Sequence, residues 1–185
     1  FEAYRLGEVC NNITSAEPVM RDADIVTIDL RCIKSSELSS RQKLSPNGFD
    51  GKEICSISRY AGISNKVSSF GIFEYRSSNE DEITEMLIAQ ILWYFIEGVN
   101  CRIIDNDFTN IASFQKFIVE VEKYELIFYK SIKTARWWIE IPNSSNNNNK
   151  LKEHSLLPCT HDDYQNANDG IIPDRWYKAH KKNII

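Results

Sequence analysis

The sequence has no long hydrophobic run, no excess of positive charge and no closely spaced cysteine pair. No apolar run reaches the roughly 20 residues that cross a bilayer, so no membrane span is expected. The formal net charge of −4 gives no basic footprint for nucleic acid. The cysteines are odd in number and lack metal-binding spacing, which favours reduced thiols in a cytoplasmic protein. They lie at Cys10, Cys32, Cys55, Cys101 and Cys159.

What remains is the composition of an ordinary globular protein, with 42% hydrophobic and 26% charged residues. The 185 residues are enough for one domain with a substantial core, or for part of a larger one. Because the chain begins with Phe1 rather than Met, we expect a fragment that lacks its N-terminal part.

Two apolar runs, residues 23–31 and 66–75, each lead into an acid, Asp29 in the first and Glu74 in the second. The β-branched residues of the first run predict a strand buried on both faces of a parallel sheet. Ligands bind at the carboxyl edge of such sheets, so both acids are candidate site residues on one rim. The alternative is that each acid only begins a loop or caps the next helix.

Helical patterns alternate with these strands over residues 12–22, 50–62 and 83–98. This order predicts an α/β fold with three layers and a parallel sheet. In the last helix, the spacing predicts one face formed by Ile83, Leu87, Gln90, Ile91, Tyr94 and Phe95. The neighbouring aromatic residues Trp93, Tyr94 and Phe95 are interpreted as core residues rather than as a binding site.

The pattern changes after residue 112, where strands are predicted over 116–122, 125–130 and 136–141. We expect residues 1–112 to form the α/β domain, and 113–185 to add antiparallel strands and C-terminal helices packed on it. The asparagine-rich stretch 143–150 is predicted to be a disordered loop. Trp137 and Trp138 alternate across their strand, so at most one of them is expected in the core.

Several segments resemble the ureohydrolase superfamily, which contains arginase, agmatinase and formimidoylglutamase. Phe70-Gly71-Ile72-Phe73-Glu74-Tyr75 resembles a family strand that ends in a substrate-facing glutamate. Further segments resemble a formimidoylglutamase-like bacterial branch; these are Ser45-Pro46-Asn47-Gly48-Phe49, Trp93-Tyr94-Phe95-Ile96-Glu97-Gly98, Phe128-Tyr129-Lys130, Arg136-Trp137-Trp138 and Pro173-Asp174-Arg175-Trp176. Family members also carry Ser-x-Asp-x-Asp-x-x-Asp-Pro, where this chain has Thr27, Asp29, Arg31, Lys34 and Ser35.

The resemblance implies the C-terminal part of an arginase-type fold and hydrolysis of the C–N bond of a linear amidine or guanidine. It also implies a pair of manganese ions, with Asp29 as a metal ligand. Glu74 would face a small cationic amidine or guanidino substrate. A homo-oligomer is compatible with the resemblance. The resemblance assigns a catalytic role to no residue of this chain.

Arg31 and Lys34 stand where the family motif has acids, and this departure makes manganese doubtful. Like charges about 4 Å apart repel by roughly 4 kcal/mol even at an effective dielectric near 20. Arg31 either pairs with Asp29 or clamps an anionic group of a ligand. A rival hypothesis follows, in which the protein is a catalytically inactive binding or scaffold member of the family.

Overall fold

The computed structural model describes residues 2–39, 45–76, 81–105, 107–108, 110–142 and 156–184. The chain divides into two compact units, Phe1–Arg102 and Ile103–Ile185. The predicted disordered loop at 143–150 lies outside the described residues. Among the described helices, none combines the length and the apolar character that crossing a membrane demands.

The described residues of the first unit form four α-helices and two strands. In chain order they are α1 (Leu6–Asn11), α2 (Ala16–Arg21), β1 (Ile25–Asp29), α3 (Gly51–Ile63), β2 (Ser69–Phe73) and α4 (Glu82–Asn100). The single helix predicted over residues 12–22 is instead a 3-10 turn, Ile13–Ser15, followed by α2. Pro18 lies in the first turn of α2, where it removes no helical hydrogen bond.

Strands β1 and β2 pair in parallel, as predicted, with Asp29 opposite Phe73. Only one face of this pair is covered in the part of the chain that the structure describes. Val26 and Ile28 are buried beneath α3 and α4, whereas Ile25 is 64% exposed and Phe73 is 55% exposed. The prediction of burial on both faces is therefore wrong for β1, and the described residues of this unit form two layers.

Helices α3 and α4 pack against each other through two glycines. A Cβ on Gly62 would lie 2.2 Å from the carbonyl oxygen of Phe95, and one on Gly98 would lie 2.6 Å from that of Arg59. The start of α3 is fixed by a capping box, in which Asp50 accepts from the Glu53 N–H and Glu53 accepts from the Asp50 N–H. The backbone pairing of Ile33 with Phe49 brings the turn after β1 beside the segment that leads into α3.

The buried face of α4 matches the predicted one in part. Leu87 and Ile91 are buried as predicted and Thr84 is buried beside them, whereas Ile83 is 62% exposed and Tyr94 is 41% exposed. Trp93 is 72% exposed, so the interpretation of this residue as a core aromatic is wrong. Because apolar residues surround most of α4, helical periodicity gives little contrast between its two sides.

The described residues of the second unit form four antiparallel strands and two α-helices. These are β3 (Phe114–Val121), β4 (Tyr124–Ser131), β5 (Trp137–Glu140), β6 (Leu156–Cys159), α5 (His161–Asn168) and α6 (Asp174–Ile184). The strands are ordered β3-β4-β5-β6, which confirms the predicted antiparallel addition. Strand β6 was not predicted, because Pro158 cannot donate a hydrogen bond to a neighbouring strand and argues against a strand there.

Both faces of this antiparallel sheet are buried at the tryptophan pair. Trp137 is stacked on Tyr164 of α5, whereas Trp138 contacts the rings of Phe108 and Phe114 in edge-on geometry. Their exposed fractions are 6% and 4%, so the expectation that at most one joins the core is wrong. Residues that precede β3 cover the second face.

Candidate functional site

The carboxyl rim of the β1–β2 pair places two acids side by side. Asp29 ends β1 opposite Phe73, and Glu74 is the next residue after Phe73. Parallel strands run with their carboxyl ends at the same edge. The prediction that both acids lie on one rim is therefore confirmed.

Arg31 folds back onto Asp29 and occupies both carboxylate oxygens. Its backbone N–H donates to Oδ1 at 2.9 Å, and its Nε donates to Oδ1 at 2.9 Å and to Oδ2 at 3.0 Å. Its Nη2 also donates to Oδ2. The 3-10 turn Leu30–Cys32 brings this about, because Asp29 is the residue that caps the turn. The structure thus shows the predicted pairing of Arg31 with Asp29, in which the side chains are 50% and 38% exposed.

Glu74 has an unusual backbone conformation at this rim. Its φ of 65° lies in the left-handed region, which non-glycine residues rarely adopt. The side chain is exposed and does not cap α4, whose N-cap is Asp81. The following residue, Tyr75, donates its hydroxyl to Glu85 of α4 at 2.7 Å. The chain therefore turns sharply after β2 and is held where it leaves the rim.

The acids at the rim raise the pKa of neighbouring groups. The pKa of the Arg31 guanidinium is raised, first by the hydrogen bonds that it donates to Asp29, then by the charge of Asp29 and then by that of Glu74. Cys32 lies in the same turn, and burial followed by the Asp29 charge raises its thiol pKa to about 11. Two acids and one guanidinium leave the rim with a formal charge of −1. Sequence reasoning identified Asp29, Arg31 and Glu74 but missed Cys32.

Asp29 is the residue at the rim that the resemblance assigns to manganese. No group of three His, Cys, Asp or Glu side chains that could hold a metal ion occurs among the described residues. The two oxygens of Asp29 already accept from a guanidinium. A divalent ion would have to displace that cation or sit beside it. Lys34, in the next segment, has no carboxylate that could bind a metal ion. Its backbone N–H donates to the Phe49 carbonyl at 2.9 Å.

A buried acid, Asp105, lies in the other unit and was also missed. It is 5% exposed and accepts from the Thr134 hydroxyl and from Arg136 at 3.3 Å. These bonds hold the turn between β4 and β5, where Ala135 has a φ of 58°. A small cavity of about 140 Å³ adjoins Asp105. The sequence gives no signal for this cluster, because Asp105 is separated from its partners by about thirty residues.

Comparison with known proteins gives a limited result. No protein-family model matches the chain, and no curated protein matches it. Two solved structures are similar, both of oxidized formiminoglutamase from Trypanosoma cruzi with Mn²⁺, at pH 8.5 and at pH 6.0. Each has a TM-score of 0.46 and 19% sequence identity, and covers 53% of this chain and 36% of the enzyme. The match thus spans about a third of the enzyme's length, and at this level it assigns the chain to no family.

Proposed function

We propose that this protein is ureohydrolase-like, on an arginase-type three-layer scaffold, and that its strand rim binds a small linear amidine or guanidino cation through Glu74. The juxtaposition of Glu74 with the Arg31–Asp29 pair carries this proposal. The rim carries two acids, Asp29 and Glu74, beside the guanidinium of Arg31. The planar N–H fork of an amidine matches the two oxygens of a carboxylate.

Two activities are compatible with such a rim, namely hydrolysis of the bound C–N bond and binding alone. Hydrolysis requires an activated water, which family members obtain from manganese ions held by acids. Here the Arg31 guanidinium occupies the oxygens of Asp29, the residue that the resemblance assigns as a ligand. This contact favours the second candidate, a catalytically inactive binding protein of ureohydrolase type.

Calorimetry with formiminoglutamate, agmatine and arginine tests the binding proposal. We expect Glu74→Gln to weaken binding of the preferred cation by about tenfold or more, because charged hydrogen bonds contribute roughly 1.5–3 kcal/mol. Glu122→Gln is the matched control, since Glu122 is also an exposed glutamate with positive φ but lies in the other unit. Absence of binding to all three compounds, or equal binding by the Glu74 variant, would contradict the proposal.

The same samples distinguish hydrolysis from binding alone. Wild-type protein is incubated with each compound, with and without added manganese, and release of formamide or urea is followed by mass spectrometry. Binding without release supports the inactive candidate. Manganese-dependent release supports the hydrolase and would show that Arg31 moves away from Asp29.

A further inference from the structure

Three peptide bonds of the chain join an aspartate or an asparagine to a glycine. They are the bonds of Asn47-Gly48, Asp50-Gly51 and Asp169-Gly170. At such a bond the glycine nitrogen can attack the side-chain carbonyl carbon, because glycine has no Cβ to shield its nitrogen. The attack requires a nitrogen whose N–H is not held in a hydrogen bond and a side chain that is able to turn towards it. These two conditions distinguish the three bonds.

Hydrogen bonds hold the glycine nitrogen in the two aspartate pairs. The Gly51 N–H donates to the Glu37 carboxylate at 3.2 Å, at the start of α3. The Gly170 N–H donates to the Ala167 carbonyl at 3.0 Å, where α5 ends. Each nitrogen would have to give up its bond before it could attack the preceding side chain. We therefore expect neither aspartate to react in the folded protein.

The asparagine pair lacks both restraints. Neither the Gly48 N–H nor the side-chain amide of Asn47 makes a hydrogen bond within the part of the chain that the structure describes, and Asn47 is exposed. The Ser45 hydroxyl donates to the Asn47 carbonyl oxygen at 2.6 Å. That oxygen belongs to the same peptide unit as the Gly48 N–H. The hydrogen bond polarises this unit and makes the proton on the Gly48 nitrogen more acidic.

We propose that Asn47 is a site of spontaneous deamidation, and that the Ser45 hydroxyl activates it. The Gly48 nitrogen attacks Cγ of Asn47, so that an N–Cγ bond forms and the Cγ–Nδ2 bond breaks. Ammonia leaves with the proton of the Gly48 nitrogen, and a cyclic imide remains. Water then opens the imide without any change of oxidation state. Addition of water at Cγ gives aspartate, whereas addition at the backbone carbonyl gives isoaspartate, in which the main chain runs through the side-chain carbons.

Isoaspartate does not fit the segment that contains Asn47, because the segment is fixed on both sides. The Ser45 carbonyl accepts from the Ser35 N–H at 2.8 Å. The Phe49 carbonyl accepts from the Lys34 N–H at 2.9 Å, and Phe49 packs against the core of the first unit. Isoaspartate adds one carbon to the main chain between these two anchors. One of the backbone bonds must therefore break, and the packing of Phe49 must loosen.

Incubation of the whole chain at mildly alkaline pH, followed by peptide mapping in a mass spectrometer, tests the site. We expect Asn47 to convert to aspartate and isoaspartate while Asp50 and Asp169 stay unchanged. Ser45→Ala should slow the conversion several-fold in the folded protein. In urea the two proteins should convert at the same rate, because the contact of Ser45 with the Asn47 carbonyl exists only in the folded chain. An unmodified Asn47, a folded variant that converts as fast as the wild type or faster, or equal slowing in urea overturns the proposal.

Urea unfolding separates the effect of the longer main chain from that of the new charge. Freshly prepared Asn47→Asp is the matched control, because it carries the charge without the additional backbone carbon. We expect this variant to unfold at the same urea concentration as the wild type, since the Asn47 side chain is exposed. The isoaspartate fraction of aged protein should unfold at a lower urea concentration. An isoaspartate fraction as stable as Asn47→Asp would contradict the fixed geometry of the segment.

Discussion

Adding one methyl group at Gly98 tests the close approach of α3 and α4. An alanine Cβ at this position would lie 2.6 Å from the Arg59 carbonyl oxygen, 2.9 Å from the Gly62 Cα and 3.0 Å from the Ile63 nitrogen. All three contacts are with backbone atoms, so no side-chain rotation can relieve them. The two helices must separate, and the clusters that join α3 and α4 through Ile54, Leu87 and Ile91 must loosen.

Two opposing effects determine how much Gly98→Ala changes the free energy of unfolding. In an unhindered helix, replacing glycine by alanine stabilises by about 1 kcal/mol. Overpacking a tight contact costs about 1–3 kcal/mol and occasionally more. Because the obstructing atoms are backbone, we take the upper end of that range. We therefore expect the free energy of unfolding to fall by about 2 kcal/mol.

Urea unfolding followed by circular dichroism measures this change, since α3 and α4 are the longest helices described. Gly7→Ala is the control, because its Cβ would meet nothing within 4 Å in α1. We expect that variant to be as stable as the wild type or slightly more stable. A Gly98→Ala protein that matches or exceeds the wild type would refute the close approach of the helices.

Three further predictions concern single side chains. Glu74→Gly should raise the free energy of unfolding by up to about 1 kcal/mol. A left-handed non-glycine residue costs roughly 1–2 kcal/mol, and the greater unfolded-state entropy of glycine offsets part of the gain. If Glu74 were unstrained, urea denaturation would show a lower free energy of unfolding for the variant instead. Cys32, with a pKa raised to about 11 chiefly by burial, should react with iodoacetamide near neutral pH much more slowly than exposed Cys101; equal labelling in mass spectra would contradict this. Burial, followed by the hydrogen bond that Tyr129 donates to Glu140, raises the pKa of Tyr129 to about 12, above the usual value of about 10. Its contribution to stability is therefore complete below pH 10 and is lost as pH rises towards 12; Tyr129→Phe should flatten that decline in pH-dependent unfolding, and an unchanged slope would refute it.

The sequence predicts the rim of the first unit well, because local patterns determine it. Strand β1 ends at an acid that caps the following turn, and β2 is joined to β1 through a helix with clear caps. The pairing of the Arg31 guanidinium with Asp29 also follows from its position, since a cation two residues after Asp29 lies close to that carboxylate. These features depend on residues near one another in the chain.

Other features depend on distant contacts and were not predictable. The second face of the antiparallel sheet is covered by Phe108, which no pattern links to Trp138. Apolar periodicity finds Leu87 and Ile91 on the buried side of α4, but it cannot tell that Ile83 is exposed, because that side is also set by the contact of Gly98 with Gly62. Glutamate has no intrinsic preference for the left-handed conformation that Glu74 adopts.

The distribution of the four tryptophans gives each unit its own optical signal. Trp93 is the only tryptophan of the first unit and is 72% exposed, whereas Trp137, Trp138 and Trp176 of the second are at most 6% exposed. Emission at long wavelength therefore comes from the first unit and emission at short wavelength from the second. During unfolding, a red shift of the emission shows that the buried tryptophans of the second unit become exposed to water. Quenching by iodide should act first on Trp93, so one fluorescence experiment can follow the two units separately without any label.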